Sequence, residues 1–151
     1  MKFIFFIFSL ILLTLVSSNK FEDKEWSPEK FLTGKFINNL GSKCNLIAKD
    51  GKISGTYITK PSRGTLIEKK HQIYGTYTPV EDGVLLSFIV TFKMEGKNKE
   101  GLKKVSTASW NGKAYSNEKS FRMNWLLVSN ERKNNEWTAT NLGQDHFTKI
   151  K

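Results

Sequence analysis

Short segments of alternating apolar and polar residues run along most of the chain, separated by turns rich in Gly, Asn, Asp and Pro. Successive side chains of a β-strand point to opposite faces, so this period predicts strands with one buried face. No long segment shows the 3.6-residue apolar period of an amphipathic helix. Strands are predicted over residues 31–38, 42–48, 52–59, 67–77, 84–94, 105–111, 118–129 and 136–150, the last interrupted around Gly143.

The connections between these predicted strands are short throughout. A Greek-key sandwich needs at least one long return connection, whereas a meander needs none. Closing a meander into a barrel also removes the exposed sheet edges. We therefore predict an all-β fold, an eight-stranded antiparallel up-and-down β-barrel.

Residues 110–113, WNGK, lie between two alternating segments. Asn-Gly is the strongest short signal for a type I′ hairpin turn, because that turn needs positive φ at both central residues. The pattern therefore predicts a tight turn at Asn111 and Gly112. Trp110 shares its strand face with Ser106 and Ala108, and this face is predicted to point inward.

The predicted inward faces mix aromatic side chains with small hydroxyl groups. Eight strands enclose an interior that side chains fill or that holds one small ligand. Aromatic walls with a few polar groups are typical of a ligand pocket, but any one such residue taken alone is more often structural core than ligand wall. The other inward sets are Leu86, Phe88, Val90, Phe92 and Met94; Met123, Trp125 and Leu127; and Gly55, Tyr57 and Thr59.

The N-terminal residues predict secretion. Residues 1–18 contain a lysine, an apolar run and small residues suited to signal-peptidase cleavage, and no second apolar span follows. A polar leader over residues 19–30 then precedes a barrel domain over residues 31–151. Cys44 is the only cysteine, so no intrachain disulfide is possible, and we expect its side chain to be small buried core.

The chain has a formal net charge of +10. Its lysines are scattered through turns and alternate strand positions, which indicates a solvated surface rather than a nucleic-acid or membrane partner. The sequence shows no metal-ligand spacing, no Ser-His-Asp arrangement and no phosphate-binding glycine loop. We expect no catalysis and no metal, with His71 and His146 facing solvent.

Five segments in order make the sequence resemble one known family. They are LTGKFINNLGS (32–42), ISGTYIT (53–59), STASWNG (106–112), NWLLVS (124–129) and EWTATNLGQDHFTKIK (136–151). Together they are similar to the avidin and streptavidin family over essentially the whole domain. The resemblance implies a non-catalytic homotetrameric barrel whose ligand is biotin, bound non-covalently in the barrel mouth without a cofactor.

The resemblance also implies roles for particular residues. Asn38, Ser42 and Tyr57 match donors to the ureido oxygen of biotin. Thr59 and Asp145 match acceptors for its two ureido N–H groups. The remaining matches are wall residues Phe92, Trp110, Trp125 and Leu127; Ser106 near the ligand carboxylate; Trp137, inserted into a neighbouring subunit's site; and the lid loop Pro61, Ser62, Arg63 and Gly64.

Some positions depart from the family pattern. Phe92 stands where a tryptophan is expected, and Ala108 replaces a threonine that would touch the ligand sulfur. The segment 95–105 is longer than in streptavidin. Two other functions remain open from the sequence: a barrel that carries another small apolar ligand, and a basic surface protein that binds anionic polymers.

Overall fold

The strands of this chain form one closed sheet. A computed structural model describes residues 26–60 and 69–151, so the predicted signal peptide 1–18 and the lid residues Pro61, Ser62, Arg63 and Gly64 lie outside the described residues. The elements in order are α1 (Pro28–Leu32), β1 (Gly34–Asn38), β2 (Lys43–Lys49), β3 (Lys52–Ile58), β4 (Lys70–Val80), β5 (Gly83–Lys97), β6 (Lys103–Tyr115), β7 (Ser120–Ser129), the 3₁₀ turn η1 (Lys133–Asn135), α2 (Glu136–Ala139) and β8 (Thr140–Ile150).

Each strand pairs antiparallel with the next one along the chain. β1 closes the ring by pairing with both β2 and β8, so that Phe36 lies opposite Cys44 on one side and Lys149 on the other. Closure leaves no edge strand in the barrel. The predicted eight-stranded antiparallel meander barrel is confirmed.

Two predicted strand ends are helical instead. Residues 28–32 form α1, which begins with Ser27 accepting a hydrogen bond from the Lys30 N–H at 3.5 Å and with a proline in its first turn. Both features favour a helix start. Residues 136–139 form α2 rather than strand. β8 begins at Thr140 and runs without interruption through Gly143.

The predicted turn at Asn111 and Gly112 is wrong. Both residues lie inside β6, where Asn111 pairs with Ser87 of β5 and with Asn124 of β7. Pairing on both sides holds this backbone extended and overrides the local turn preference. A Cβ on Gly112 would lie 2.2 Å from the carbonyl oxygen of Arg122, so glycine is needed here for close strand packing. The chain turns after Tyr115 instead.

The inward faces form the core as the alternation predicts, with two exceptions, Met94 and the exposed Thr59, which follows the end of β3. Phe88, Val90 and Trp110 are buried, but Met94 is 56% exposed. Strand β5 passes a register shift between Lys93 and Lys97, and its end projects beyond the barrel wall. A residue in that extension has no interior to face.

Helix α1 covers one end of the barrel. Leu32 is fully buried, and the ring of Phe31 meets that of Phe121 edge-on at 6.1 Å. Glu29 accepts hydrogen bonds from the Tyr77 hydroxyl at 2.7 Å and from the Asp50 N–H at 2.9 Å. In the described part of the chain, no helix is long and apolar enough to cross a membrane.

Candidate ligand-binding site at the open end of the barrel

The two ends of the barrel differ in what covers them. α1 and the β2–β3, β4–β5 and β6–β7 turns lie at one end, called here the closed end. The β1–β2, β5–β6 and β7–β8 connections lie at the other, the open end. The buried polar side chains of the described residues are Asn38 at the end of β1, Ser42 in the β1–β2 turn at the open end, and Asp145 in the middle of β8.

Asn38, Ser42 and Tyr57 form one hydrogen-bonded group. The β1–β2 turn brings the first two together, because the Ser42 N–H donates to Asn38 Oδ1 at 2.8 Å. Asn38 Nδ2 then donates to the Tyr57 hydroxyl at 3.3 Å, and the Lys60 N–H donates to Ser42 Oγ at 3.1 Å. Burial raises the pKa of Tyr57, so its hydroxyl keeps its proton and is a donor. The predicted donor group is assembled.

Asp145 projects from β8 into the interior with only 2% of its surface exposed. Its Oδ2 accepts a hydrogen bond from Trp110 Nε1 at 2.9 Å, whereas its Oδ1 has no partner among the described residues. A buried carboxylate oxygen without a donor is costly. This oxygen is therefore available to accept a further hydrogen bond.

Aromatic rings join the donor group to the acceptor. The Tyr57 and Trp110 rings lie 5.1 Å apart, so residues of the two polar groups are in direct contact. Phe92 meets Tyr57 edge-on at 5.8 Å and Trp110 at 6.4 Å, and Phe88 stacks on Trp110 at 5.2 Å. These rings surround the polar atoms with apolar surface, and such a low-dielectric environment strengthens the hydrogen bonds that the polar atoms make.

Trp125 extends this aromatic wall. It lies opposite Trp110 across the β6–β7 pairing and is partly buried against the core. Gly143 faces it from β8, and a Cβ there would lie 2.2 Å from the indole ring of Trp125. Gly143 therefore provides room for the indole within the strand, rather than interrupting the strand.

Two further predicted residues lie beside this aromatic wall, and a third, Thr59, lies outside it. Ser106 is opposite Phe92, and Leu127 is opposite the buried Ala108. Both Ser106 and Leu127 are half-buried. Thr59 follows the last residue of β3 and is exposed, so the structure does not join it to the hydrogen-bonded group.

Trp137 is not part of the same cluster. It lies on α2 in the β7–β8 connection, with 90% of its surface exposed in the single chain. A tryptophan this exposed is rare unless another surface covers it. The predicted lid residues are outside the described residues and add nothing to this geometry.

His71 is a pocket residue that the sequence interpretation assigned to solvent. It is half-buried on the inward face of β4, opposite Tyr57, and its ring meets that of Phe92 at 4.8 Å. Burial lowers the pKa of His71, and the charge of Lys69 acts in the same direction. A hydrogen bond with the backbone of Thr91 acts in the opposite direction and raises the pKa. The alternating pattern of β4 indicates this inward position, because His71 lies two residues before the buried Ile73 and therefore on the same face of the strand. His146 is exposed as predicted.

Cys44 lies in the pocket floor beside the donor group. It is buried opposite Phe36 and Tyr57 and is a free thiol, as the sequence predicts. Burial, together with the charge of Asp145, raises the pKa of Cys44 to about 12. The side chain is therefore a protonated thiol that fills space.

The site consists of two polar groups joined by aromatic rings. Asn38, Ser42 and Tyr57 form the first group, and the second contains Asp145 Oδ1, which has no partner among the described residues. The contact between the Tyr57 and Trp110 rings joins the two groups. Among the described residues, no three His, Cys, Asp or Glu side chains are grouped so as to hold a metal ion.

The fold and the pocket define a closed β-barrel of the small-ligand-binding type. A model of the Avidin family matches residues 27–150. Among solved structures, the chain is similar to Xenavidin, with 26% identity and a TM-score of 0.62, over 79% of this chain and 97% of that one. It is similar in fold to a biotin-binding protein from chicken, with 23% identity and a TM-score of 0.66, over 83% and 100% of the two chains. No curated protein matches.

The chain belongs to the avidin family. The family match spans α1 and all eight strands, so it includes the closed-end helix as well as the pocket.

Proposed function

We propose that this protein is a secreted, non-catalytic binder of biotin that sequesters the vitamin in the open end of its barrel. The observation that carries the proposal is the buried Asp145 carboxylate, which has one oxygen paired with Trp110 and the other without a partner in the described part of the chain. The ureido group of biotin supplies the N–H group that this oxygen lacks. The same group supplies a carbonyl oxygen for the donors Asn38, Ser42 and Tyr57.

The remaining parts of biotin fit the rest of the pocket. Trp110, Phe92 and Trp125 offer apolar surface to the fused rings, and Ser106 lies nearer the open end, where the valerate carboxylate would emerge. Thr59 would complete the ureido contacts from the same end. A carrier of purely apolar ligands would have no use for the buried polar group, and this supports biotin over a lipid.

We further propose that the protein assembles as a homotetramer. Four exposed apolar residues lie in one row across the outer face: Tyr74, Ile89, Leu126 and Leu142. Tyr74 pairs with Ile89, and Leu126 pairs with Leu142. Between these two pairs lies Ser109, which is opposite both Ile89 and Leu126. A row of exposed apolar residues on the outside of a barrel is typical of a subunit interface. Assembly would also cover Trp137, which we propose completes a neighbouring subunit's pocket.

The binding proposal is tested by calorimetric titration of the full mature protein with biotin. We expect saturation near one biotin per chain, together with a higher unfolding temperature, because biotin binds only the folded state. A parallel titration with a fatty acid should show no binding. Binding of the fatty acid without binding of biotin would support the apolar-carrier alternative and refute the proposal.

The assembly proposal has its own test. Leu142→Lys places a charge in the apolar row, and we expect it to lower the mass measured by light scattering from that of a tetramer toward smaller species. Lys113→Ala, on the outer surface near the closed end, is the matched control and should leave the mass unchanged. A monomeric wild-type protein would refute the tetramer without affecting the biotin proposal.

A further inference from the structure

The β5–β6 hairpin extends beyond the barrel at the open end, and its tip, residues 98–102, reaches the β7–β8 loop, residues 130–139. Asn98 organises the tip, because its Oδ1 accepts from the N–H groups of Glu100 at 3.0 Å and Leu102 at 2.9 Å. Its Nδ2 donates across to the backbone oxygen of Asn130 at 3.2 Å and to Glu131 Oε2 at 3.4 Å. One side chain thus shapes the tip and attaches it to the loop.

Glu100 holds the next part of the loop. Its Oε2 accepts from the Arg132 N–H at 3.1 Å, and its backbone oxygen accepts from Arg132 Nη2 at 3.1 Å. Its Oε1 accepts from Asn135 Nδ2. Asn135 is the residue immediately before α2, and its backbone oxygen accepts from Thr138 Oγ1 at 2.8 Å. The contacts of Glu100 therefore end two residues before Trp137.

The root of the loop is also attached to the hairpin. The Asn130 N–H donates to the backbone oxygen of Val105 at 2.8 Å, and Asn130 Nδ2 donates to that of Lys103 at 2.9 Å. The hairpin thus contacts the loop at residues 130, 131, 132 and 135. Each contact is solvent-exposed or partly buried, so each contributes modestly, but together they restrain one short segment in one orientation.

We propose that the hairpin tip is a positioning element for the β7–β8 loop, with Glu100 and Asn98 as positioning residues that hold α2 and Trp137 in place. The inference rests on the proposed function, in which Trp137 closes a neighbouring subunit's pocket. Holding the loop lowers the entropy that Trp137 loses when it covers bound ligand. Glu100 acts through Trp137 and does not touch the ligand.

The test combines hydrogen exchange without ligand and biotin dissociation in the full mature protein. Glu100→Ala should raise amide exchange in residues 131–139 while leaving the barrel strands unchanged. It should speed biotin release by roughly threefold to tenfold, the factor expected for losing one or two exposed hydrogen bonds. Glu100→Gln retains an acceptor oxygen and should restore part of both properties.

Two comparisons separate positioning from a general effect. Glu95→Ala is the matched control, because Glu95 lies on the same hairpin and pairs with Lys69 at 3.0 Å instead of the loop. It should change neither exchange in the loop nor release. In a Trp137→Phe background, Glu100→Ala should add little to the release rate, since its effect passes through the indole.

The inference is overturned if Glu100→Ala leaves exchange in residues 131–139 at the wild-type rate. It is equally overturned if Glu100→Ala speeds release by the same factor with and without Trp137. Failure of the wild-type protein to bind biotin refutes the proposed function instead. The exchange comparison would then still decide whether Glu100 restrains the loop.

Discussion

Replacing Asp145 by asparagine should weaken biotin binding and, at the same time, stabilise the free protein. In the unliganded site, Oδ2 is paired with Trp110, and Oδ1 is a buried carboxylate oxygen without a partner in residues 26–60 and 69–151. Asparagine has nearly the same shape and keeps one oxygen for the Trp110 N–H. It places a neutral NH₂ group where the unpaired carboxylate oxygen was, so the substitution removes a buried charge without creating a cavity.

The substitution weakens biotin binding but raises the free energy of unfolding of the unliganded protein, and the two changes differ in size. A hydrogen bond to a charged group contributes about 1.5–3 kcal/mol, so losing it should weaken biotin binding by roughly tenfold to 150-fold. The NH₂ group also faces a ligand N–H, so no replacement bond forms. Relief of the buried unpaired charge should raise the free energy of unfolding of the unliganded protein by about 1 kcal/mol.

Urea denaturation without ligand and calorimetric titration with biotin measure the two effects. Asp82→Asn is the matched control, because Asp82 is an exposed aspartate at the closed end, paired with Lys113 at 2.6 Å. It should leave biotin affinity unchanged. An Asp145→Asn protein that is less stable than wild type and binds biotin with the same affinity would refute the assignment of Asp145 as the ligand acceptor.

Three further predictions concern other parts of the molecule. Trp137→Phe should speed biotin release while changing the free energy of unfolding by less than about 0.5 kcal/mol, because the side chain is almost fully exposed in the single chain. Gly112→Ala should destabilise the fold by about 1–3 kcal/mol in urea denaturation, since the added Cβ meets the Arg122 carbonyl oxygen at 2.2 Å. Stability of the unliganded protein should fall on acidification below about pH 6.5. Burial lowers the pKa of His71, so the unfolded chain binds more protons there.

Each of these three predictions has an outcome that would contradict it. Asn111→Ala lies beside Gly112 on the exposed face of β6, and equal destabilisation by both variants would contradict the close-packing explanation. His71→Gln should flatten the acid dependence, and an unchanged slope would show that other groups cause it. A large loss of stability in Trp137→Phe would show that the indole packs within its own chain.

Alternation alone predicts most of the fold and the direction of many side chains. Trp110 and Phe88 follow the period-two pattern and are buried, because one face of each barrel strand must face the interior. His71 follows the same pattern, and its assignment to solvent neglected the parity that it shares with Ile73. Asp145 required the family resemblance, since a lone carboxylate near the end of the chain carries no periodic signal.

Interactions between distant segments explain what the sequence does not predict. Asn111 and Gly112 have the strongest local turn signal, yet pairing with two neighbouring strands keeps them extended. Residues 136–139 alternate like a strand, but the loop closes into a helical turn after Asn135. The contacts of Glu100 with Arg132 and Asn135 join segments more than thirty positions apart, and neither segment shows a pattern that implies the other.

Calorimetric titration with biotin, followed in parallel by tryptophan fluorescence, is the most direct test of whether this barrel binds biotin. Because the proposed site places Trp110 and Trp125 beside the ligand, we expect their emission to change in proportion to bound biotin and to reach its limit near one biotin per chain. Absence of both heat and fluorescence change at saturating biotin would contradict it.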